Sequence, residues 1–164
     1  MSYRILKASQ EDAQCLHELG VAVYHSTYSE ILAADQIAFM LAKNYSPQAL
    51  LQTMQAGQDF YLLIDPTGQA AGFIALQEKD QHTLRIEKLY LLAAQQGKGQ
   101  GRALLQFAMQ TAKEQSYKKL ELNVNRGNKA YYFYLKQGFQ VVQEIDIPYY
   151  GYILDDYIMQ KLVG

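Results

Sequence analysis

A glycine-rich loop is the part of the sequence whose residue types and spacing best suit ligand binding. Glycines occupy positions 97, 99 and 101, after an apolar run that ends at Leu92 and before an amphipathic segment from Arg102 to Gln115. Because glycine has no Cβ, the backbone N–H groups of such a loop can converge at the positive end of a helix dipole. The loop therefore predicts a phosphate-binding site, although a tight strand-to-helix turn that binds nothing would use the same glycines.

Two common nucleotide-binding loops fit these residues poorly. A nucleoside triphosphate loop requires Lys and then Ser or Thr, whereas Gly101 is followed by Arg102 and Ala103. A dinucleotide loop requires Gly-x-Gly-x-x-Gly, and the spacing here is one residue short, although Glu121 lies at a suitable distance downstream. The sequence therefore disfavours both kinds of nucleotide site.

A run of aromatic side chains is the second feature that could carry chemistry. Residues 131 to 134 are consecutive aromatics, in a chain that contains fourteen tyrosines. A tyrosine hydroxyl, with a pKa of about 10, can act as a general acid when it is held near a leaving group. Without further context, packing of these rings in the core explains the run.

Hydrophobic periodicity predicts the elements that position these residues. Their order is one strand, three helices, three strands, a helix, a strand, a helix and two strands. The predicted strands are 3–7, 59–64, 71–76, 83–92, 119–124, 139–147 and 152–162. The predicted helices run from Ser9 towards Ser26, over 29–56 with a break at 44–47, and over 102–115 and 128–136. Helices interleaved with a mostly antiparallel sheet give an α+β or mixed α/β fold.

Length and composition exclude several classes of protein. The 164 residues predict one domain over 1–164, because a chain of this length buries one sizeable core. A formal net charge of −1 argues against a nucleic-acid partner, and the single cysteine, Cys15, excludes an internal disulfide. No stretch approaches the roughly 18 apolar residues of a membrane span, so a cytoplasmic protein without a membrane partner is expected. The spacing of His17, His25 and His82 predicts no metal site.

Two signatures resemble those of the GNAT superfamily of acetyl-CoA-dependent N-acetyltransferases. The first is Gln96-x-x-Gly99-x-Gly101 after residues 89–91, and the second is the segment 128–139, which includes the aromatic run. The resemblance implies a GNAT-like fold, with a central, mostly antiparallel twisted sheet of about six to seven strands flanked by helices. Residues 27–28, 86–90 and 155–159 resemble more narrowly the Pai-type branch, which includes spermidine/spermine acetyltransferases.

The resemblance also implies how acetyl-CoA binds. Backbone N–H groups of the glycine loop would bind the pyrophosphate, and a splayed strand would offer free main-chain groups to the pantetheine arm. Asn128 would bind the polar arm and Lys136 the nucleotide end, although a solvated lysine explains Lys136 as well. Many members have arginine where this chain has Gln96, so the backbone would carry more of the pyrophosphate binding. The implied cofactor-binding residues are Leu89, Tyr90, Leu91, Gln96, Gly97, Lys98, Gly99, Gln100, Gly101, Arg102, Asn128 and Lys136.

Two residues are the candidates for catalysis. Tyr134 occupies the position of the family's general acid, which would protonate the thiolate that leaves acetyl-CoA. Glu87, on the strand that leads to the glycine loop, is the candidate base for the substrate ammonium. An ion pair between Glu87 and Arg85 or Lys88 would explain this glutamate equally well.

The sequence accordingly predicts an enzyme that transfers acetyl from acetyl-CoA to a primary amine of a small molecule, with polyamines as candidates, by direct attack in a ternary complex. No metal and no covalent acyl-enzyme are expected, because Cys15 has no paired base. A non-catalytic acyl-CoA-binding regulatory module and a protein or peptide N-acetyltransferase remain as alternatives. The apolar C-terminal strand could be a sheet edge, which would allow a homodimer, or it could equally be covered within the chain. Candidate carboxylates for a cationic acceptor are Glu30, Asp35, Asp155 and Asp156.

Overall fold

The computed structural model describes residues 2–163, which form a seven-stranded sheet and five α-helices. The strands are β1 (Arg4–Lys7), β2 (Asp59–Ile64), β3 (Ala70–Asp80), β4 (Thr83–Leu91), β5 (Lys119–Asn125), β6 (Gln140–Tyr149) and β7 (Tyr152–Leu162). The helices are α1 (Ala13–Tyr28), α2 (Ala34–Tyr45), α3 (Pro47–Gln55), α4 (Gln100–Glu114) and α5 (Ala130–Lys136). The predicted order of elements and the mixed α/β fold class are confirmed.

The strands lie in the order β1-β2-β3-β4-β5-β7-β6. Every neighbouring pair is antiparallel except β4 and β5, which run parallel because α4 connects them. Of the two alternatives for the C-terminal strand, the structure shows the covered one, since β7 pairs with β5 on one side and β6 on the other and is not an edge. The outer strands are β1 and β6. In the last hairpin the second strand, β7, pairs with β5, so the first strand, β6, lies at the edge.

Helices cover both faces of the sheet and divide the core into two parts. On one face, α1, α2 and α3 pack through buried residues that include Leu16, Leu50, Phe60 and Phe73. On the other face, α4 and α5 pack through buried residues that include Leu104, Leu105, Leu120 and Phe139. The sheet is therefore buried on both sides near its centre, where β4 and β5 lie.

The parallel pair of strands is short, and this opens a wedge in the sheet. Residues 83–86 of β4 pair with residues 119–122 of β5, and no pairing continues beyond Ile86 and Leu122 in the described residues. The rest of β4, to Leu91, stays paired with β3, whereas the rest of β5 stays paired with β7. The two strands diverge, so the edge of β4 that faces β5 keeps free main-chain groups from Glu87 onwards.

A β-bulge lies at the point where the strands part. Ala75 of β3 lies opposite Lys88, but its neighbour Leu76 lies opposite Ile86, so Glu87 is an extra residue without a partner on β3. A bulge of this kind re-aims the side chains that follow it. Ile86 and Leu89 therefore pack in the same core, although simple alternation would place them on opposite faces.

Candidate active site

A cavity of about 800 Å³ occupies the wedge between the diverging strands. Four parts of the chain line it: the end of α1 with the loop after it, the second half of β4, the glycine loop with the first turn of α4, and the end of β5 with α5. The cavity also has the size of a small-molecule site. It is therefore the candidate active site.

Most of the residues that the sequence assigned to a site line this cavity. They are Glu87, Leu89, Tyr90, Leu91, Gln96, Gly97, Gly99, Gly101, Arg102, Asn128 and Tyr134. Lys98, Gln100 and Lys136 do not line it; Lys98 and Lys136 are exposed to solvent. Any contact of these three residues with acetyl-CoA would lie outside the cavity, at the glycine loop or at the end of α5.

The glycine loop has the backbone geometry of an anion-binding turn. Gly97 and Gly99 adopt positive φ angles of 78° and 82°, which residues with a Cβ rarely adopt. The Ala103 N–H donates to the Gly99 carbonyl at 3.1 Å, so the amides that precede Ala103 in α4 have no intrahelical partner. Free amides at a positive helix end fit a pyrophosphate group.

Two further contacts shape this loop. A Cβ on Gly101 would lie 3.2 Å from the ring of Phe133, so glycine lets the start of α4 lie against α5. The Gln96 side-chain amide donates to the Leu91 carbonyl at 3.3 Å. Gln96 is thus used in bracing the loop against β4, which agrees with an anion site built mainly from backbone groups.

Tyr134 is buried among aromatic rings but its hydroxyl is free. Its ring packs against Phe133 and Phe139, and the residue is 7% exposed and lines the cavity. Within residues 2–163 the hydroxyl has no hydrogen-bond partner, and it is not a fully enclosed polar atom either. Burial raises the pKa of Tyr134, with a smaller effect from Tyr28. The hydroxyl therefore stays protonated near neutral pH and reaches into the cavity.

Asn128 joins the two sides of the cavity. Its side-chain oxygen accepts from the Ala130 N–H at 2.9 Å, which fixes the turn into α5. Its side-chain amide donates to the Tyr28 hydroxyl of α1 at 3.4 Å. One amide hydrogen remains for a ligand, because the side-chain oxygen serves the turn and the backbone N–H and carbonyl already bond to Asn125 and Tyr131.

Glu87 lies at the apex of the wedge and lines the cavity. Its carboxylate accepts from Arg85 Nε at 3.0 Å, and its side chain is 29% exposed. The ion pair with Arg85 that the sequence left open is therefore present. The same carboxylate also faces the cavity, so the pairing and a role in proton transfer are compatible.

Lys88 is the neighbour of Glu87 and points to the opposite core. Its ammonium donates to the Gln58 side-chain oxygen and lies 5.2 Å and 5.8 Å from the ring centres of Phe60 and Tyr45. Burial lowers the pKa of Lys88 to about 8 from 10.5, and the Glu87 carboxylate opposes part of this shift. The fold thus favours the neutral amine, and its stability must depend on pH.

The substitution Lys88→Met tests this dependence. Below pH 8 the native and unfolded chains both carry the ammonium, so the cost of burying it is complete. As pH rises from about 8 to 10.5 the native state loses this proton first and the cost disappears. The unfolding free energy of the wild type relative to Lys88→Met should therefore increase by about 3 kcal/mol over this range. Urea unfolding of both proteins at pH 7 and pH 10.5 measures it; a difference independent of pH would contradict it.

The carboxylates proposed for a cationic acceptor do not lie together. Glu30 lines the cavity from the loop after α1. Asp35 accepts from the Tyr152 hydroxyl at 3.2 Å, and Asp155 and Asp156 accept from Asn125 and Asn123 at 3.0 and 3.2 Å. These three aspartates are not among the residues that line the cavity.

Several cavity residues were absent from the predicted site, and Tyr28 and Asn123 are the ones that carry polar groups of interest. Asn123 had a signal in the sequence: on β5 it alternates with the apolar Leu122 and Val124, and polar residues on a strand that is buried on both faces indicate a polar network. Tyr28 had none beyond its place in the resemblance, because its position depends on how α1 crosses the sheet.

Comparison with known proteins decides the family. A sequence profile described as an acetyltransferase (GNAT) domain matches residues 26–147. The chain belongs to this GNAT acetyltransferase family. It is an acetyl-CoA-dependent N-acetyltransferase, and the wedge-shaped cavity with its amide-lined loop fits that cosubstrate.

Several relatives cover nearly the whole GNAT chain. The crystal structure of a PaiA N-acetyltransferase from Thermoplasma acidophilum, in complex with coenzyme A, superposes with a TM-score of 0.85 at 28% identity and covers 99% of both chains. An uncharacterized N-acetyltransferase of Mycobacterium tuberculosis is 25% identical, over 92% of this chain and 97% of its own length. Another, from Lactobacillus delbrueckii, is 25% identical over 82% of this chain and 83% of its own length.

No helix within residues 2–163 combines the length and apolar character that crossing a bilayer requires. Within the same range, no three His, Cys, Asp or Glu side chains cluster as metal ligands would.

Proposed function

We propose that this acetyltransferase acetylates a primary amine of a small molecule by direct attack on acetyl-CoA in a ternary complex. The observation that carries the proposal is that a free tyrosine hydroxyl, Tyr134, and a carboxylate, Glu87, line one cavity together with the anion-binding loop. A general acid, a general base and a cosubstrate site are the parts that direct transfer requires.

Two walls of the cavity suit different parts of acetyl-CoA. The free main-chain groups of β4 suit the amide groups of the pantetheine arm, and the free amides of the glycine loop suit the pyrophosphate. Lys98, Gln100 and Lys136 would contribute, if they contact the cosubstrate, from outside the cavity. The thioester would then lie near the apex of the wedge, between β4 and α5.

The proposed reaction needs three proton transfers. Glu87, directly or through water, takes a proton from the substrate ammonium, so that the amine nitrogen gains a free electron pair. The nitrogen forms a bond to the thioester carbonyl carbon and loses its second proton to water, and the carbon–sulfur bond breaks. Tyr134, which is protonated near neutral pH, gives its proton to the leaving thiolate. The products are the acetylated amine and free coenzyme A.

A panel of amines tests the acceptor class. The resemblance of residues 27–28, 86–90 and 155–159 to the Pai-type branch makes small amines candidates, and Glu30 in the cavity offers one carboxylate to a cationic substrate. Diamines, polyamines and peptides with a free α-amine or a lysine side chain should be compared by kcat/KM at saturating acetyl-CoA. Diamines or polyamines should lead; a clear preference for peptide amines would instead assign a protein or peptide acetyltransferase.

The substitution Gly99→Glu tests the cosubstrate site. In the wild type, saturating acetyl-CoA should raise the thermal unfolding midpoint, because a ligand that binds only the native state stabilises it. Gly99→Glu should abolish this increase, since it brings a negative charge to the proposed pyrophosphate position. Gly99→Asn is the matched control, because asparagine tolerates a positive φ angle without adding charge and should keep most of the increase. Equal increases in all three proteins would place the pyrophosphate elsewhere.

A further inference from the structure

The most extensive polar network in the described residues lies beside the cavity, near the last paired residues of the parallel strands. Glu121 of β5 is 1% exposed, and Arg85 of β4 lies opposite it in register. The Glu121 carboxylate accepts from Arg85, from Lys79 at 3.0 Å and from Gln160 at 2.7 Å. These donors outweigh desolvation, so that the pKa of Glu121 is lowered.

Arg85 distributes its donors over three acceptors. One terminal nitrogen donates to buried Glu121, the other donates to Asn123 at 2.6 Å, and Nε donates to Glu87 at 3.0 Å. A planar guanidinium held at all three nitrogens has little freedom to rotate. A lysine at this position would present a single point charge and could not hold three acceptors in this arrangement.

Glu87 needs such support because of the bulge. It has no partner on β3, and pairing of β4 with β5 has already ended at Ile86. Among residues 2–163, Arg85 is the only hydrogen-bond donor to its carboxylate. The guanidinium thus fixes a side chain that the sheet itself leaves free.

We propose that Arg85, anchored by buried Glu121, is a positioning residue that holds the Glu87 carboxylate at the apex of the cavity. This inference rests on the proposed function, in which Glu87 is the base. A buried ion pair is a poor source of stability, because the cost of removing both charges from water cancels much of their attraction. The pair lies one residue before the end of the β4–β5 pairing, close to Glu87, so it can orient that side chain.

Other charged groups surround this network. Lys79 of β3 is half exposed, Asp155 and Asp156 lie on β7, and Arg126 follows β5. Desolvation raises the pKa of Asp156, against a hydrogen bond from Asn123 and with repulsion from Asp155. Asp156 does not line the cavity, so it is not a competing site for Glu87.

The test removes the buried charges in matched pairs. Arg85→Gln alone would leave Glu121 buried with fewer donors and destabilise the fold, whereas Arg85→Gln/Glu121→Gln removes both charges and should keep the wild-type unfolding midpoint within a few degrees. With saturating acetyl-CoA, this double variant should lower kcat for the amine by about 10-fold and change its KM by less than about 3-fold. Arg85→Lys should fold, but its kcat should stay below the wild-type value, as in the double variant.

Combination with Glu87→Gln separates positioning from a general effect. If Arg85 acts through Glu87, the double substitution should lower kcat by less than about 2-fold in the Glu87→Gln background. A double variant with wild-type kcat, a full additional loss in that background, or rescue by Arg85→Lys would overturn the inference while the proposed function stands. Absence of amine-dependent turnover in the wild type would instead overturn the proposed function, and with it this inference.

Discussion

Tyr134→Phe should lower kcat by about 10²- to 10⁴-fold, the usual contribution of general acid catalysis, with little change in KM. The physical reason is that phenylalanine keeps the ring that packs against Phe133 and Phe139 and removes only the hydroxyl. That hydroxyl has no partner within the described residues, so its loss should cost little stability. Steady-state rates with the best amine of the panel, together with the affinity for coenzyme A, measure the effect.

Tyr132→Phe is the matched control, because Tyr132 lies on the same helix, is 64% exposed and does not line the cavity. It should leave kcat unchanged. If Tyr134→Phe turned over at the wild-type rate near neutral pH, Tyr134 would be a packing residue and the proton of the leaving thiolate would come from elsewhere.

Glu87→Gln should lower kcat/KM most at low pH. There the substrate amine is almost fully protonated, so removal of its proton by the enzyme matters most. The loss should be about 10²-fold at pH 6 and should shrink as pH approaches the pKa of the amine, about 10 for a lysine-like group. Profiles of kcat/KM from pH 6 to 10 for both proteins measure it.

Glu144→Gln controls for the loss of an arginine-paired carboxylate. Glu144 pairs with Arg126 at 3.8 Å, is largely exposed and does not line the cavity, so the pH profile should keep its shape. A defect of Glu87→Gln that is absent, or equal at every pH, would remove Glu87 from the proton transfer.

The sequence predicted the elements of this fold well because their signals are local. Two apolar runs define β2 and β3 around a turn at 65–68, and the spacing of Leu104, Leu105 and Ala108 defines α4. The order of the strands depends on contacts between distant segments, so the sequence left open whether β7 lies at the edge or inside the sheet. The bulge at Glu87 depends on how β3 and β4 align, and no residue type in either strand predicts it.

In the site, too, the local features could be predicted and the long-range contacts could not. The glycine loop and the segment with Tyr134 could be found because each is contiguous, whereas the Arg85–Glu121–Gln160 network joins three strands that only the folded sheet brings together. From the sequence, Arg85 was expected only as an ion-pair partner of Glu87. Its contact with Glu121 follows from the register of β4 and β5, which residue types alone do not specify. The roles of Tyr134 and Glu87 stay predictions until the variants are measured.

The measurement that tests the account most directly is the amine-dependent release of free coenzyme A thiol from acetyl-CoA, with the acetylated amine quantified in the same reaction. The account predicts that thiol and acetylated amine appear in equal amounts, that the rate depends on the amine, and that Tyr134→Phe slows both products equally. Binding of acetyl-CoA with the same slow thiol release in the presence and absence of every amine tested would contradict it.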